Sequence, residues 1–157
     1  AFHARGFSLL SDDALPLLIR NGKFWAQPSL PEIRLYRSTA QRVLGRTRLA
    51  EAEPALEKFR LSLGSAFQAK PLPLQNIFCL RTSQSLRIRR LSPSEACPFL
   101  LASSFRVDLE NQARLVEEWQ MLASLVEGVR VFSLEYPRGL KRLDQVVSAV
   151  LREVKIA

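Results

Sequence analysis

An Asn-Gly dipeptide between two largely apolar segments is the feature that most constrains the fold of this chain. Asn21-Gly22 follows residues 14–20 and precedes residues 23–27. A two-residue turn of type I′ needs positive φ at both central residues, and asparagine and glycine adopt that conformation at the lowest cost. The sequence therefore predicts a β-hairpin here, and any fold for the chain must contain this antiparallel strand pair.

Extended and helical patterns alternate along the rest of the chain. Strands are predicted at residues 7–10, 33–36, 58–63, 76–81, 86–91 and 129–134, and helices at 1–5, 38–44, from 93 onward, at 111–126 and at 143–154. Residues 46–54 are weakly patterned and predict a helical turn and loop. Strands mixed with helices indicate an α/β protein with a mixed sheet and helices packed on it.

Several helix ends carry specific signals. Gly6 is expected to close the first helix in the left-handed conformation. Ser38 with Gln41 forms the pattern of a capping box, and Gly45 is expected to end that helix. Ser92-Pro93-Ser94-Glu95 combines an N-cap, a proline at the first helical position and a capping-box glutamate. Pro98 should bend or shorten the helix that follows.

Composition limits the classes of function. The 157 residues are 47% hydrophobic, enough for a single core, and no apolar run approaches the roughly 20 residues that span a bilayer. We expect a cytoplasmic protein that does not use a membrane. The net charge of +8 suggests an anionic partner such as nucleic acid, a phosphorylated substrate or ATP. Nucleic acid is the least favoured of these, because basic runs interleaved with aromatic residues are missing from the sequence.

Histidine and cysteine exclude further chemistry. His3, the only histidine, lies at the start of the chain, so it is disfavoured as the base of a Ser-His-Asp arrangement, and it is the only possible companion of the cysteines in a zinc site. Cys79 and Cys97 lack CxxC spacing and are interpreted as buried thiols. The three aromatic residues Trp25, Tyr36 and Trp119 are interpreted as core or edge aromatics.

The segment with the clearest chemical content is the apolar run 7–10 followed by Ser11, Asp12 and Asp13. We expect residues 7–10 to form a strand that is buried on both faces. Ligands of open α/β sheets gather outside the carboxyl ends of strands, where an acid can hold the magnesium ion of a nucleotide. The alternative is that Asp12 and Asp13 only cap a turn, as aspartate often does.

The order of the segments resembles the HPr kinase and phosphoenolpyruvate carboxykinase-like group of P-loop kinases over nearly the whole chain. Ala4-Arg5-Gly6 followed by an apolar strand and Asp12-Asp13 is similar to the family's helix ending and acidic pair. The similarity continues in PSLPEIRLY at 28–36, EKFRLSL at 57–63, PLPLQNIFCL at 71–80, LSPSE at 91–95 and VFSLEYPRGLKRLDQVV at 131–147. None of these motifs is specific by itself, so their order and spacing carry the resemblance.

The family's P-loop, GxxGxGK followed by Ser or Thr, is missing from this sequence. The only Gly-Lys pair, Gly22-Lys23, lies in the expected hairpin and is followed by Phe24. The chain begins at Ala1 and its only methionine is Met121. We therefore expect residues 1–157 to be a single partial kinase domain that begins just after the P-loop and is inactive as it stands.

The resemblance also implies roles for individual residues. Asp13 is expected to accept a proton from the acceptor hydroxyl and Asp12 to help hold the metal ion, although the two roles could be reversed. Arg34, Lys58 and Arg60 lie in family-like segments and could contact phosphate or the acceptor, or could simply be solvated or paired in salt bridges. ATP and Mg²⁺ are the implied cofactors. The implied partner is a phosphoacceptor protein, peptide or small molecule, and an oligomer is possible.

A second class of function stays open. The chain could be a non-catalytic binding or regulatory module whose basic surface holds an anionic partner. The acidic pair favours the kinase, whereas the missing P-loop favours the binding module.

Overall fold

The computed structural model describes residues 1–44, 50–53, 58–104 and 111–155. The described strands are β1 Leu17–Arg20, β2 Lys23–Ala26, β3 Glu32–Tyr36, β4 Ala50–Glu53, β5 Lys58–Ser62, β6 Leu72–Pro73, β7 Asn76–Thr82, β8 Arg87–Arg90 and β9 Arg130–Tyr136. The described helices are α1 Arg37–Leu44, α2 Pro93–Ser103, α3 Gln112–Gly128 and α4 Leu143–Lys155. Strands and helices are mixed along the chain, which confirms the α/β class; the finer kinase fold stays a prediction.

The hairpin forms at the dipeptide that predicts it. Asn21 has φ of 51° and Gly22 has φ of 71°, the two positive values that a type I′ turn requires. The first strand begins at Leu17, later than residue 14. The two-residue strand β6 extends the hairpin into a sheet of order β1-β2-β6, and next to it the Leu74 N–H donates to the Phe24 carbonyl at 2.8 Å.

Gly6 ends a short 3-10 helix, His3–Arg5, in the left-handed conformation with φ of 85°. The Gly6 N–H donates to the His3 carbonyl at 3.0 Å and the Phe7 N–H donates to the Phe2 carbonyl at 3.2 Å. These are the two bonds of a Schellman motif. The Phe2 and Phe7 rings make its hydrophobic contact, edge to face at 5.8 Å between centroids.

The buried strand expected at residues 7–10 is wrong. Phe7 is 42% exposed, and its N–H is used in the Schellman motif and not in a ladder. Only Leu9 pairs, through a parallel bridge to Phe67. The Leu9 N–H donates to the Ala66 carbonyl at 3.0 Å, and the Gln68 N–H donates to the Leu9 carbonyl at 2.8 Å.

The chain divides into two compact units. The first comprises Ala1–Leu18, Trp25–Leu72 and Gly139–Ser148. It contains an antiparallel sheet of order β3-β5-β4. One face of β3 and β5 buries Ile33 and Leu61, which pack with Leu63 against the partly buried side chains of Leu9, Leu35 and Phe67. The loop expected over residues 46–54 is wrong for Ala50–Glu53, which form strand β4 and pair with β5. Residues 46–49 and 54 lie outside the described residues.

The second unit comprises Ile19–Phe24, Pro73–Arg138 and Ala149–Ala157. Its sheet has the order β7-β9-β8, in which β9 is parallel to β7 and antiparallel to β8. Its core consists of Leu91, Ala96 and Val131, with Ile77, Cys79, Phe99, Leu100 and Val126 packed against them. In β8, Ile88 is half-buried while Arg87 and Arg89, which point to the other face, are exposed; Arg90 is exposed as well.

The helix signals are confirmed in part. Ser92 is the N-cap of α2, with Pro93 in the first turn and a complete capping box to Glu95. Helix α2 continues through Pro98 to Ser103, so the helix does not end at the proline. Asn111 caps α3, with its Oδ1 accepting from the Arg114 N–H at 3.1 Å.

Two helix boundaries differ from the expectation. Helix α1 begins at Arg37, so Ser38 lies inside the first turn and not at the N-cap. Gly45, which was expected to end this helix, lies outside the described residues. Helix α3 ends at Gly128, two residues beyond the predicted residue 126.

Cysteine and aromatic side chains are less buried than expected. Cys79 and Cys97 are free and only partly buried, and burial raises the pKa of the Cys79 thiol. Trp25 is half-buried, but Tyr36 and Trp119 each expose about half of their surface, at 53% and 51%. Among the helices that the structure describes, none combines the length and apolar character needed to cross a bilayer.

Candidate functional site

The acidic pair lies in a short turn of the first unit, directly after the parallel bridge at Leu9. The Ser11 hydroxyl donates to the Ala14 carbonyl across this turn, so Asp12 and Asp13 are its two central residues. Both aspartates are exposed. Since Ser11 closes the turn, turn closure does not require either carboxylate.

Asp12 is attached to the sheet. Its Oδ2 accepts a hydrogen bond from the backbone N–H of Arg34 in β3 at 2.9 Å. A carboxylate that accepts from a backbone N–H forms a charge-assisted bond, which is stronger than a neutral one. One oxygen of Asp12 therefore fixes the side chain, and the second oxygen points to no partner within the described residues.

Asp13 has a different environment. Within residues 1–44, 50–53, 58–104 and 111–155, its carboxylate makes no hydrogen bond or ion pair. The turn thus presents one carboxylate that is held and one that is open to solvent and to an incoming group.

Arg34, Lys58 and Arg60, the three basic candidates, lie on one face of β3 and β5. Arg34 stands directly opposite Arg60, and Tyr36 stands directly opposite Lys58. The Lys58 Nζ lies 5.4 Å from the centroid of the Tyr36 ring, a cation–π distance. The structure brings Arg34 together with Asp12, since the backbone of Arg34 holds that carboxylate.

Glu32 is a further charged residue of this face that the sequence analysis did not single out. Its Oε1 lies 4.0 Å from Nε of Arg34 and 3.8 Å from Nε of Arg60. The spacing of Glu32 and Arg34, two residues apart on one strand, was the available signal, because such residues share a face. These contacts agree with the interpretation of Arg34 and Arg60 as residues paired in salt bridges.

Arg34 and Arg60 are like charges that stand directly opposite each other on paired strands. Like charges directly opposite each other on paired strands destabilise the pair. Exposed ion pairs at these distances contribute about 0–1 kcal/mol each. Arg34, Lys58 and Arg60 thus lie together on this face with Glu32, whose carboxylate contacts both arginines.

The acidic pair alone does not make a complete metal site. Among the residues that the structure describes, no group of three or more His, Cys, Asp or Glu side chains is placed to hold a metal ion. Mg²⁺ bound with a nucleotide takes one or two carboxylates, the phosphate oxygens and water. The free oxygen of Asp12 fits this kind of shared coordination.

Comparison of the chain with protein-family models, curated proteins and solved structures finds no match. The resemblance to the HPr kinase family thus rests on the order of its motifs, and the kinase activity stays a prediction.

Proposed function

We propose that the chain is the part of an HPr kinase-like enzyme that follows the P-loop, and that the enzyme transfers a phosphoryl group from ATP to a hydroxyl. The acceptor is a serine of a protein or peptide, or a small molecule. The observation that carries the proposal is the unequal environment of the acidic pair, in which Asp12 is held by the Arg34 N–H and Asp13 is open. Turn capping alone does not explain this difference, because Ser11 closes the turn.

The two environments suit two tasks. A general base must be able to reach the proton of the acceptor, and Asp13 is the exposed carboxylate without a partner in the described part of the chain. A metal ligand gains from being fixed in place, and Asp12 is fixed through one oxygen. Mg-ATP supplies the phosphoryl group and the metal charge that neutralises it.

The basic face of β3 and β5 supports the same proposal. Phosphoryl transfer depends mainly on positioning and on charge neutralisation. Arg34 links the two features, because its backbone holds Asp12 and its side chain belongs to the face with Arg60 and Lys58. A phosphate oxygen or an acidic residue of the acceptor is the group that this face would contact.

The experiment begins with the coding sequence upstream of Ala1. A P-loop in frame just before Ala1 supports the proposal, and that longer chain should then transfer phosphate from ATP to serine-containing acceptors in the presence of Mg²⁺. Substitution of the P-loop lysine is the control for contaminating kinases. A folded longer chain that carries the loop but neither binds nor hydrolyses ATP would refute the proposal.

A non-catalytic binding module is the second candidate, and the Arg34–Arg60 pair favours it. Such a module should bind an acidic peptide through the β3–β5 face without ATP. Arg34→Gln and Lys58→Gln should then weaken the binding, whereas Asp13→Asn should leave it unchanged. An upstream sequence with a start codon and no P-loop would favour this candidate over the kinase.

A further inference from the structure

Strand β8 forms one edge of the β7-β9-β8 sheet in the second unit. The Leu91 N–H donates to the Val131 carbonyl at 2.8 Å, and this pair continues the antiparallel register of β8 with β9. Bonded pairs alternate along an antiparallel ladder, so every second residue of β8 before Leu91 is bonded to β9. Ile88 and Arg90 lie between those residues. Their N–H and C=O groups point outward, where the described part of the chain places no second strand.

The side chains of this edge are mostly basic. Arg89 is paired with Glu95 at 2.9 Å, whereas Arg87 and Arg90 form no ion pair with another residue that the structure describes. All three arginines are exposed, and Ile88 is half-buried. A second copy of β8 would bring like charges together, which destabilises strand pairing. The charge of the edge therefore disfavours self-association and favours an acidic partner.

The row of side chains that contains Arg87 shows where an added acid would lie. Arg81 of β7 and Arg87 of β8 both stand opposite Glu135 of β9. Across the three strands the row thus reads basic, acidic, basic. A strand added outside β8 would place its next side chain beside Arg87, and a carboxylate there would continue the alternation. Opposite charges in this relation stabilise paired strands.

The register of β8 also sets the order of side chains in the partner. In an antiparallel strand read from its N-terminus, successive residues would stand opposite Arg90, Arg89, Ile88 and Arg87. The first and last of these positions favour an acid. Ile88 favours a β-branched apolar residue, and Arg89 favours a neutral residue because Glu95 already pairs with it. The complementary order is therefore acidic, neutral, apolar, acidic.

We propose that the β8 edge binds an extended acidic segment of another protein by strand addition, with one acidic residue against Arg90 and another against Arg87. Main-chain hydrogen bonds at Ile88 and Arg90 supply the affinity, and the alternating side chains supply the specificity. The proposal does not depend on the kinase activity. It uses neither the acidic pair nor the β3–β5 face, and it needs neither ATP nor Mg²⁺.

The probe for the experiment is the acetylated and amidated peptide Ser-Glu-Thr-Val-Glu-Ser, titrated into residues 1–157 at low salt. Amide NMR should show saturable shifts at Ile88 and Arg90. Arg87→Gln and Arg90→Gln should each lower the association constant about threefold, and the double variant about tenfold, because exposed ion pairs are individually weak. The matched control is Arg114→Gln, an equal loss of charge at an exposed position of α3, and it should bind as the wild type does.

Modified peptides separate strand addition from attraction by charge. N-methylation of the valine nitrogen removes the bond to the Ile88 carbonyl and should lower the association constant at least about tenfold. N-methylation of the threonine nitrogen, which points away from β8, should have little effect. The peptide Ser-Glu-Val-Thr-Glu-Ser has the same composition and charge but places valine opposite Arg89, so it should bind more weakly.

Three results would overturn the proposal. The first is the absence of saturable shifts in folded wild-type protein up to about 10 mM peptide. The second is an equal loss of affinity in the Arg114 variant and the β8 variants, which indicates attraction by net charge alone. The third is an equal effect of the two N-methyl groups, which excludes main-chain pairing with β8.

Discussion

The stability of the Asp12 and Asp13 variants should differ, because only one of the two carboxylates is bonded to the fold. Asp12→Ala removes the acceptor of the Arg34 N–H, a bond of 2.9 Å. Net contributions of hydrogen bonds to charged groups are about 1.5–3 kcal/mol, and solvent exposure of Asp12 reduces this to about 1 kcal/mol. Asp13→Ala removes no bond within the described residues and should change the free energy of unfolding by less than about 0.5 kcal/mol.

Urea denaturation of residues 1–157 followed by circular dichroism measures both values. A loss of 1 kcal/mol corresponds to a fall of about 2–4 °C in the thermal midpoint for a chain of this size. Asp12→Asn is the matched variant, because its amide oxygen can still accept from the Arg34 N–H. It should therefore retain much of the stability that Asp12→Ala loses.

In the longer chain that carries the P-loop, the Asp12 and Asp13 variants should also differ in their kinetics. Asp13→Asn keeps the size of the side chain but removes the base, so the rate of phosphoryl transfer should fall by roughly 10²–10⁴ with little change in nucleotide affinity. Asp12→Asn should raise the magnesium requirement and weaken binding of Mg-ATP together with the rate.

The two sets of measurements test the interpretation separately. Equal destabilisation by Asp12→Ala and Asp13→Ala would refute the argument from unequal environments. It would favour the alternative in which both aspartates only cap a turn. Near wild-type turnover of the Asp13→Asn variant would end its assignment as the base. Magnesium dependence that shifts in the Asp13 variant instead of the Asp12 variant would show that the two roles are reversed.

Three further outcomes follow from local geometry and from the sequence. Gly22→Ala should cost about 1–2 kcal/mol, because φ of 71° strains an alanine although its Cβ meets no atom within 4 Å, while Asn21→Gly should be nearly neutral in the same urea titration. The Ser92 N–H, and then Arg89, hold the pKa of Glu95 below its usual value. The contribution of Glu95 to the free energy of unfolding is therefore present at neutral pH and is lost as the pH falls through that lowered pKa. The urea midpoints of the wild type and of Glu95→Gln should accordingly converge in acid. Residues 1–157 should bind Mg-ATP poorly, because their only Gly-Lys pair lies in the hairpin, and micromolar affinity by calorimetry would contradict this.

Local signals account for the parts of the fold that the sequence analysis predicted well. The type I′ turn at Asn21-Gly22 and the capping box at Ser92 each depend on residues within four positions of one another, so the pattern contains the whole cause. Strand β4 is different, because residues 50–53 have little strand character of their own and are extended through pairing with β5. Nonlocal pairing of this kind is not visible in a local pattern.

The same distinction explains the outcome for residues 7–10. Their apolar character predicts a buried strand, but the Schellman motif at Gly6 takes the Phe7 N–H and turns its ring onto Phe2. Gly6 is a local signal of this motif, whereas the bond from the Phe7 N–H to the Phe2 carbonyl is not visible in an apolar pattern. The acidic pair was found from its position after the apolar run, and its attachment to Arg34 could not be found because the two lie 22 residues apart.

The arrangement around Asp13 also bears on whether an exposed aspartate can act as a base. A catalytic group must be held in place even when its own carboxylate is free, because effective catalysis requires a fixed geometry. The backbone before it is anchored at Leu9 by the bridge to Phe67 and at Leu10, whose carbonyl accepts from the Ser29 N–H at 3.0 Å. Asp12 anchors the next position to β3. Backbone hydrogen bonds at Leu9 and Leu10 and side-chain bonds at Ser11 and Asp12 therefore hold the four residues before Asp13, which positions its side chain without consuming its carboxylate.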